Sequence, residues 1–297
     1  MGLRPRMSVD VPVVSVGNLT VGGTGKTPIS AWVARYYGGA GHTPAIVLRG
    51  YGGDEGMVHR KVVPEAIVIE DPDRPRGAQR AVAGGASVIV LDDGFQRLDL
   101  HRDLDIVLVS VESTGAAPWT LPGGPWREGL RALKRSDLVV VTRKRADFSS
   151  AERFSKRLQA ISKKPVAIAR LGVCGFKGLL SGEDVPVGSL DGVSVLAVAG
   201  VADPDSFVNQ CAEIAGRVKT ALFSDHYAYS KRDIPRLVHS ARGVDYVVVT
   251  EKDAVKLRGL WPEGEPEPLV ASMDVSWEVG EDYVISALGQ VVGVDEP

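Results

Sequence analysis

At 297 residues, with 44% apolar and 24% charged side chains, the chain has the make-up of a soluble globular protein of two ordinary domains or one large one. A formal net charge of −2 supplies no basic field of the kind that gathers nucleic acid. The two cysteines, Cys174 and Cys211, lie far apart with no histidines at metal spacing, which argues against a zinc site or a disulfide framework and fits a reducing cytosol.

The first predicted element, Val11–Val16, is an apolar strand that breaks into GNLTVGGTGKTP before a helix over 28–37. Short β-branched runs at Ala45–Leu48, Ala66–Ile69, Val88–Leu91, Ile106–Val109 and Leu138–Val141 read as further strands, with helices over 74–84 and 150–161. These strands are almost continuously apolar, as expected where both faces of a parallel sheet are covered. The connection after Val109 is long, rich in proline and glycine, and carries Trp119 and Trp126; such lengths usually mark functional loops. From about Lys164, VAIARLGVCGFKGLL reads as an irregular or antiparallel linker into a second α/β unit. That unit has strands at Val193–Val198 and Tyr246–Thr250, a helix over Asp205–Ala215, and a tail over 274–289 of mixed strand and short helix. The expected fold class is α/β: a mostly parallel nucleotide-binding core over 1–165 and a smaller C-terminal domain with a stranded linker over 166–297. No run approaches the roughly 18 apolar residues of a membrane-spanning helix, and the N-terminal stretch has no signal-peptide core.

The run Gly22, Gly23, Thr24, Gly25, Lys26, Thr27 carries the strongest chemical signal. Its glycines let successive backbone N–H groups curl around a polyphosphate, Lys26 reaches the terminal phosphates, and the Thr27 hydroxyl suits magnesium. The helix that follows directs its positive end at the same place. One departure stands out: the strict pattern wants glycine where Thr20 lies, and Val21 replaces the lysine of a related variant.

Asp92 and Asp93 follow the strand Val88–Leu91, where carboxylates beside a phosphate loop hold magnesium, although a DDG run also makes an ordinary turn. In RGYGGDE, Arg49 is a phosphate fork and Tyr51 a stacking or hydrogen-bonding neighbour. Asp54 and Glu55 read either as a solvated pair on a flexible loop or as a general base and its companion. His226, beside Asp225 in FSDHYAYS, reads as a helix cap or as a tuned imidazole. Arg127, Arg131, Lys134 and Arg135 recur at helical spacing as one basic face, either merely solvated or seated with the tryptophan loop on an anionic membrane.

In chain order, VGNLTVGGTGKTP, RGYG, GDE, PDR, VIVLDDGFQ, LPGGPWRE, LKRSD, DHYAY and VTEKDAVKL resemble the tetraacyldisaccharide 4′-kinases of lipid A biosynthesis. In that family Thr20 is the usual residue. The resemblance implies a P-loop α/β core that moves the γ-phosphate of ATP, with Mg2+, to the 4′-hydroxyl of an acylated glucosamine disaccharide 1-phosphate. It implies Asp54 as the base, His226 as its partner, and Lys26 in catalysis. Asp92, Asp93, Thr27 and Glu55 then serve the metal, and Arg49, Tyr51, Arg74, Gln96, Arg127 and Glu128 line the substrate end. It also implies a cytoplasmic enzyme held peripherally at the inner membrane.

The chain departs from the family where RGYG and GDE run together, where Gly56 and Gly129 replace prolines, and where Tyr227 replaces a second histidine. Only about ten residues precede the first strand, where the family usually has a membrane helix. Two other readings stay open: a P-loop kinase or ligase acting on a soluble molecule, and a nucleotide-switch ATPase.

Overall fold

The computed structural model describes residues 6–50, 53–115 and 119–293. They form two compact units: the chain through Leu171 together with the segment from Val275 onward, and Gly172–Asp274.

The first unit is built on a parallel sheet. Its strands are β1 (Val13–Asn18), β2 (Pro44–Leu48), β3 (Ile67–Glu70), β4 (Val88–Asp92), β5 (Leu104–Ser110), β6 (Leu138–Arg143) and the first part of β7 (Val166–Gly178). They lie in the order β7-β6-β5-β1-β4-β2-β3, and every pairing between them is parallel. β1, β2, β4 and β5 are buried along their whole length, which is why they read as unbroken apolar runs. The helices that cover the sheet are α1 (Lys26–Gly39), α2 (Asp54–Val62), α3 (Arg74–Ala83) and α4 (Phe148–Ser162). Parallel pairing sends the loops after β1 and β4 out at the same carboxyl edge, where such sheets bind ligands.

The second unit repeats the layering on a smaller scale. Strands β9 (Ser194–Ala199), β10 (Arg217–Leu222), β11 (Tyr246–Thr250) and β12 (Leu269–Val279) lie in the order β10-β9-β11-β12, followed by β7 with β8 (Asp184–Val185) at its side. β9 sends Leu196 and Val198 to one face, with Leu237 of α6 (Ile234–Ser240) and Leu257 of α7 (Glu251–Leu257). Val195 and Ala197 go to the other, with Phe207 and Cys211 of α5 (Pro204–Ile214).

Four features differ from the sequence expectation. VAIARLGVCGFKG is one 13-residue strand rather than an irregular linker, parallel to β6 in its first half and antiparallel to β8 near its end. Asp54 and Glu55 open a helix rather than ride a flexible loop. Arg131, Lys134 and Arg135 lie on a single 3-10 segment, Leu130–Arg135, and Arg127 falls outside it, so the expected basic helical face does not form. The sequence reading draws 166–297 as one domain while leaving its last strands free to return to the first, and the return is what forms: β12 ends, and α8 (Glu281–Val291) lies, in the first unit. There Trp277 meets the edge of Trp32 at 5.0 Å, the Tyr37 hydroxyl donates to the Leu288 carbonyl at 3.0 Å, and Arg143 forks onto Glu278.

One contact sets how closely β1 can be approached. A Cβ at Gly17 would lie 2.8 Å from the Phe95 backbone nitrogen and closer still to its Cβ, whereas Gly39 at the end of α1 faces open space. Gly17→Ala is expected to lower unfolding free energy by roughly 1–3 kcal/mol through overpacking. Gly39→Ala is expected to raise it by up to about 1 kcal/mol, since helical glycine is the poorer residue. Urea unfolding of the two variants checks both signs.

Candidate functional site

The site begins where β1 ends. Asn18 is fully buried, and its amide donates to the Thr20 carbonyl and the Thr24 hydroxyl, both at 2.7 Å. The Thr24 carbonyl accepts from the Thr142 hydroxyl at 2.9 Å, and the Asn18 carbonyl from the Gln96 amide at 2.9 Å. The loop is thus tied to β6 and to the turn after β4. Gly22 (φ 108°) and Gly25 (φ 91°) take left-handed backbone that other residues rarely adopt, and a side chain at Gly25 would collide with Leu171. Gly25 caps α1 without a side-chain hydrogen bond and no acidic residue occupies the first turn, which leaves the positive end of the helix without a side-chain cap. Thr20 and Val21 pair instead with the tryptophan loop: Thr20 bridges Trp126, and the Val21 N–H donates to the Pro125 carbonyl at 2.8 Å.

Beside this loop stand the two aspartates after β4. The β1–β4 register sets Asp92 opposite Val16, and the Asp93 N–H donates to the Val16 carbonyl at 2.9 Å. Asp93 adopts left-handed backbone (φ 61°), a strained setting for a residue with a side chain. Both of its carboxylate oxygens accept from Arg127 Nη1, at 2.7 and 2.8 Å, and Lys26 Nζ lies 3.7 Å from Oδ1. Asp92, almost fully buried, accepts from His59 Nε2 at 2.8 Å. Its carbonyl receives Arg74 Nη2 at 3.4 Å, and Arg74 Nη1 donates to the Asp71 carbonyl at 2.7 Å. Arg74 is buried at the start of α3, and that burial, followed by the nearby Arg97, depresses its guanidinium pKa.

The other predicted residues sit as follows. Asp54, fully buried, is the first residue of α2 after left-handed Gly53, and its Oδ1 accepts the Glu55 N–H at 3.0 Å. Gly56 in place of proline has a local cause, because any side chain there would run into the Glu70 carboxylate. Glu128 is gripped by Arg135 through two bonds of 2.8 and 3.0 Å, and that hydrogen bonding lowers its pKa. Arg135 lies over the Phe95 ring at 4.6 Å. Arg49 is exposed on the loop after β2, and Tyr51 lies outside the described residues.

His226 belongs to the second unit, on the loop after β10, in left-handed backbone (φ 56°), with its ring 3.8 Å from Asp225. The loop is braced by Tyr229 donating to buried Asp253 at 3.0 Å and Tyr227 donating to Asp233 at 3.1 Å. Burial, then the Asp253 charge, pushes the Tyr229 phenol pKa well upward. Sequence reasoning missed His59, Asn18 and this Tyr229–Asp253 brace, because each acts through a partner that local spacing does not reveal.

In the first unit, then, the structure gathers Gly22–Thr27, Asp92, Asp93, Arg127 and Gln96 at one sheet edge of an α/β core. The family model for tetraacyldisaccharide-1-P 4′-kinase matches residues 1–64 and 52–292. The tetraacyldisaccharide 4′-kinase of Syntrophotalea carbinolica is 37% identical over 84% of this chain and 74% of its own length. That of Geobacter metallireducens is 38% identical, with coverage of 83% and 78%. LpxK from Aquifex aeolicus, solved in complex with ATP, superposes with a TM-score of 0.73 at 26% identity, over 96% of this chain and 90% of that one. The chain belongs to the tetraacyldisaccharide-1-P 4′-kinase family, and its fold is that of a P-loop kinase.

Proposed function

We propose that this chain transfers the γ-phosphate of ATP to the 4′-hydroxyl of a tetraacyldisaccharide 1-phosphate, at the edge where β1 and β4 end. The observation that carries this is the grouping of Lys26, Arg127, Asp93 and Asp92 beside a glycine-rich loop that leads into a helix start with no side-chain cap. Phosphoryl transfer asks mainly for positioning and charge neutralisation. Lys26 and Arg127 supply the positive charge, and Asp93 holds the two cations together until phosphate oxygens compete for them.

The donor set suits magnesium, which needs only one or two protein oxygens when nucleotide phosphates and water complete its shell. Thr27, at the second position of α1, and Asp92, at the end of β4, offer such oxygens; Glu55, beginning α2, is a further donor. When bound, the ion would neutralise charge on the phosphates. Both Asp93 oxygens already face Arg127, so orienting that arginine suits Asp93 better than binding the ion directly.

Asp54 accepts the acceptor hydroxyl's proton. Arg49, Gln96, Arg127 and Glu128, with Tyr51, attend the acceptor, while Arg74 acts from beneath by holding the Asp92 carbonyl. With ATP, Mg2+ and the lipid in detergent micelles, labelled phosphate is expected in the lipid. Asp54→Ala should lower kcat by roughly 10²–10⁴-fold with ATP affinity unchanged. Label appearing only in free phosphate, or transferred equally well to a soluble sugar, would redirect the assignment.

The acceptor is presented at a membrane, and we read the tryptophan loop as the contact. Among the described residues no helix is long and apolar enough to cross a bilayer. Val21, Trp119 and Leu121 are 44%, 66% and 53% exposed. They share one edge, since Val21 bonds to Pro125, Leu121 to Trp126, and Trp126 to Trp119. Exposed Arg131 and Lys134 follow within the same stretch and complement anionic headgroups. Trp119→Ser with Leu121→Ser is expected to weaken sedimentation with phosphatidylglycerol vesicles several-fold and to raise KM for the lipid but not for ATP. Unchanged sedimentation would remove this loop as the contact.

A further inference from the structure

His59 has no part in the reading above, yet it makes a nearly fully buried polar contact at the site. Its ring is fully buried in α2, and Nε2 stands 2.8 Å from Oδ2 of Asp92, itself 3% exposed. A carboxylate only accepts, so the proton of this bond sits on Nε2. Nδ1 is buried with no hydrogen-bond partner among the described residues, and it therefore carries a lone pair. A ring held in this way does not rotate freely. Through Nε2 it fixes Oδ2 of Asp92.

The bond also joins two elements that sequence distance keeps apart. Asp92 ends β4, and His59 lies five positions along α2 from Asp54, which begins that helix. On its other flank α2 is held to β3, where Arg60 pairs with Glu70 at 2.8 Å and Gly56 lies against the same carboxylate. His59 thus fixes the helix carrying the acceptor-side carboxylate against the strand carrying the cation-side one.

We propose that His59 is a positioning residue: its Nε2–H orients Asp92 for the magnesium–nucleotide complex and sets α2, with Asp54, against that carboxylate. The proposal rests on the reading of Asp92 as a cation ligand. A histidine that merely filled the core would be replaceable by any side chain of similar volume. A positioning histidine is replaceable only by another donor at the same reach.

The test compares His59→Met, which keeps bulk and loses the donor, with His59→Gln, whose amide nitrogen can take the place of Nε2. Three quantities are read on the full chain: thermal midpoint, calorimetric affinity for ATP with and without Mg2+, and the Mg2+ concentration giving half-maximal turnover. Partners that orient metal ligands are typically worth about 10–100-fold in metal affinity. His59→Met is therefore expected to raise the half-maximal Mg2+ concentration about tenfold or more and to shrink the gain in ATP affinity that Mg2+ brings. Affinity for ATP alone should hold, and His59→Gln should recover most of the loss. A folded His59→Met with wild-type magnesium response overturns the proposal.

Should His59→Met fail to fold, the wild-type imidazole decides. Its 15N signal, assigned by its absence from His59→Gln, should move on adding Mg2+ to the ATP complex, and a signal that stays put overturns the proposal. If Mg2+ leaves wild-type ATP affinity and turnover unchanged, the reading of Asp92 itself has failed, a different result from a silent His59.

Discussion

The parallel pairing of β1 with β4 is the constraint on which the rest depends. Parallel strands end on the same side, and a register that sets Val16 opposite Asp92 brings a phosphate-binding turn and an acidic pair together. Each arises from a different part of the chain, and neither has chemistry of its own. The glycines supply N–H groups without a counterion, and the aspartates supply charge without a fold for phosphate. Shifted by one residue, the pairing would turn the β4 side chains to the opposite face. The seamless burial of both strands makes such a shift expensive in apolar surface.

Several charges at this edge are paired. Asp93 answers Lys26 and Arg127, Asp92 answers His59, and Glu128 answers Arg135, which in turn lies on Phe95. The His59–Asp92 contact is nearly fully buried, whereas the Asp93 and Glu128 pairs are partly exposed and screened by water. Asp93 holds Lys26 and Arg127 beside one another.

What could be read from the sequence follows how local each cause is. The phosphate loop was legible because left-handed glycines and a following helix are decided within a few residues. The buried parallel strands were legible from their unbroken apolar runs. Helix α2 was not: its nine residues, DEGMVHRKV, carry a glycine and five ionisable side chains, and the anchor of its buried face, His59 on Asp92 of β4, lies elsewhere in the chain. The basic stretch misled because helical spacing says nothing of partners, and Arg127 and Arg135 are both drawn to carboxylates. The return of the C-terminal segment depends on Trp277 and Leu288 finding Trp32 and Tyr37, contacts that span most of the chain and leave no trace in composition.

The bonds that tie down Thr20 and Thr24 have a consequence for the energetics of nucleotide capture. A free glycine-rich turn would lose conformational entropy when phosphate arrives, roughly 1–2 kcal/mol for each residue ordered. Here Asn18 and Thr142 hold the turn's carbonyls and the Thr24 hydroxyl from within the protein, and Val21 is paired with Pro125. Much of that ordering is completed when the chain folds. A phosphate ligand bound there, as proposed, would meet a loop ordered beforehand, and its binding enthalpy would be offset by less entropy than the glycine content alone would suggest.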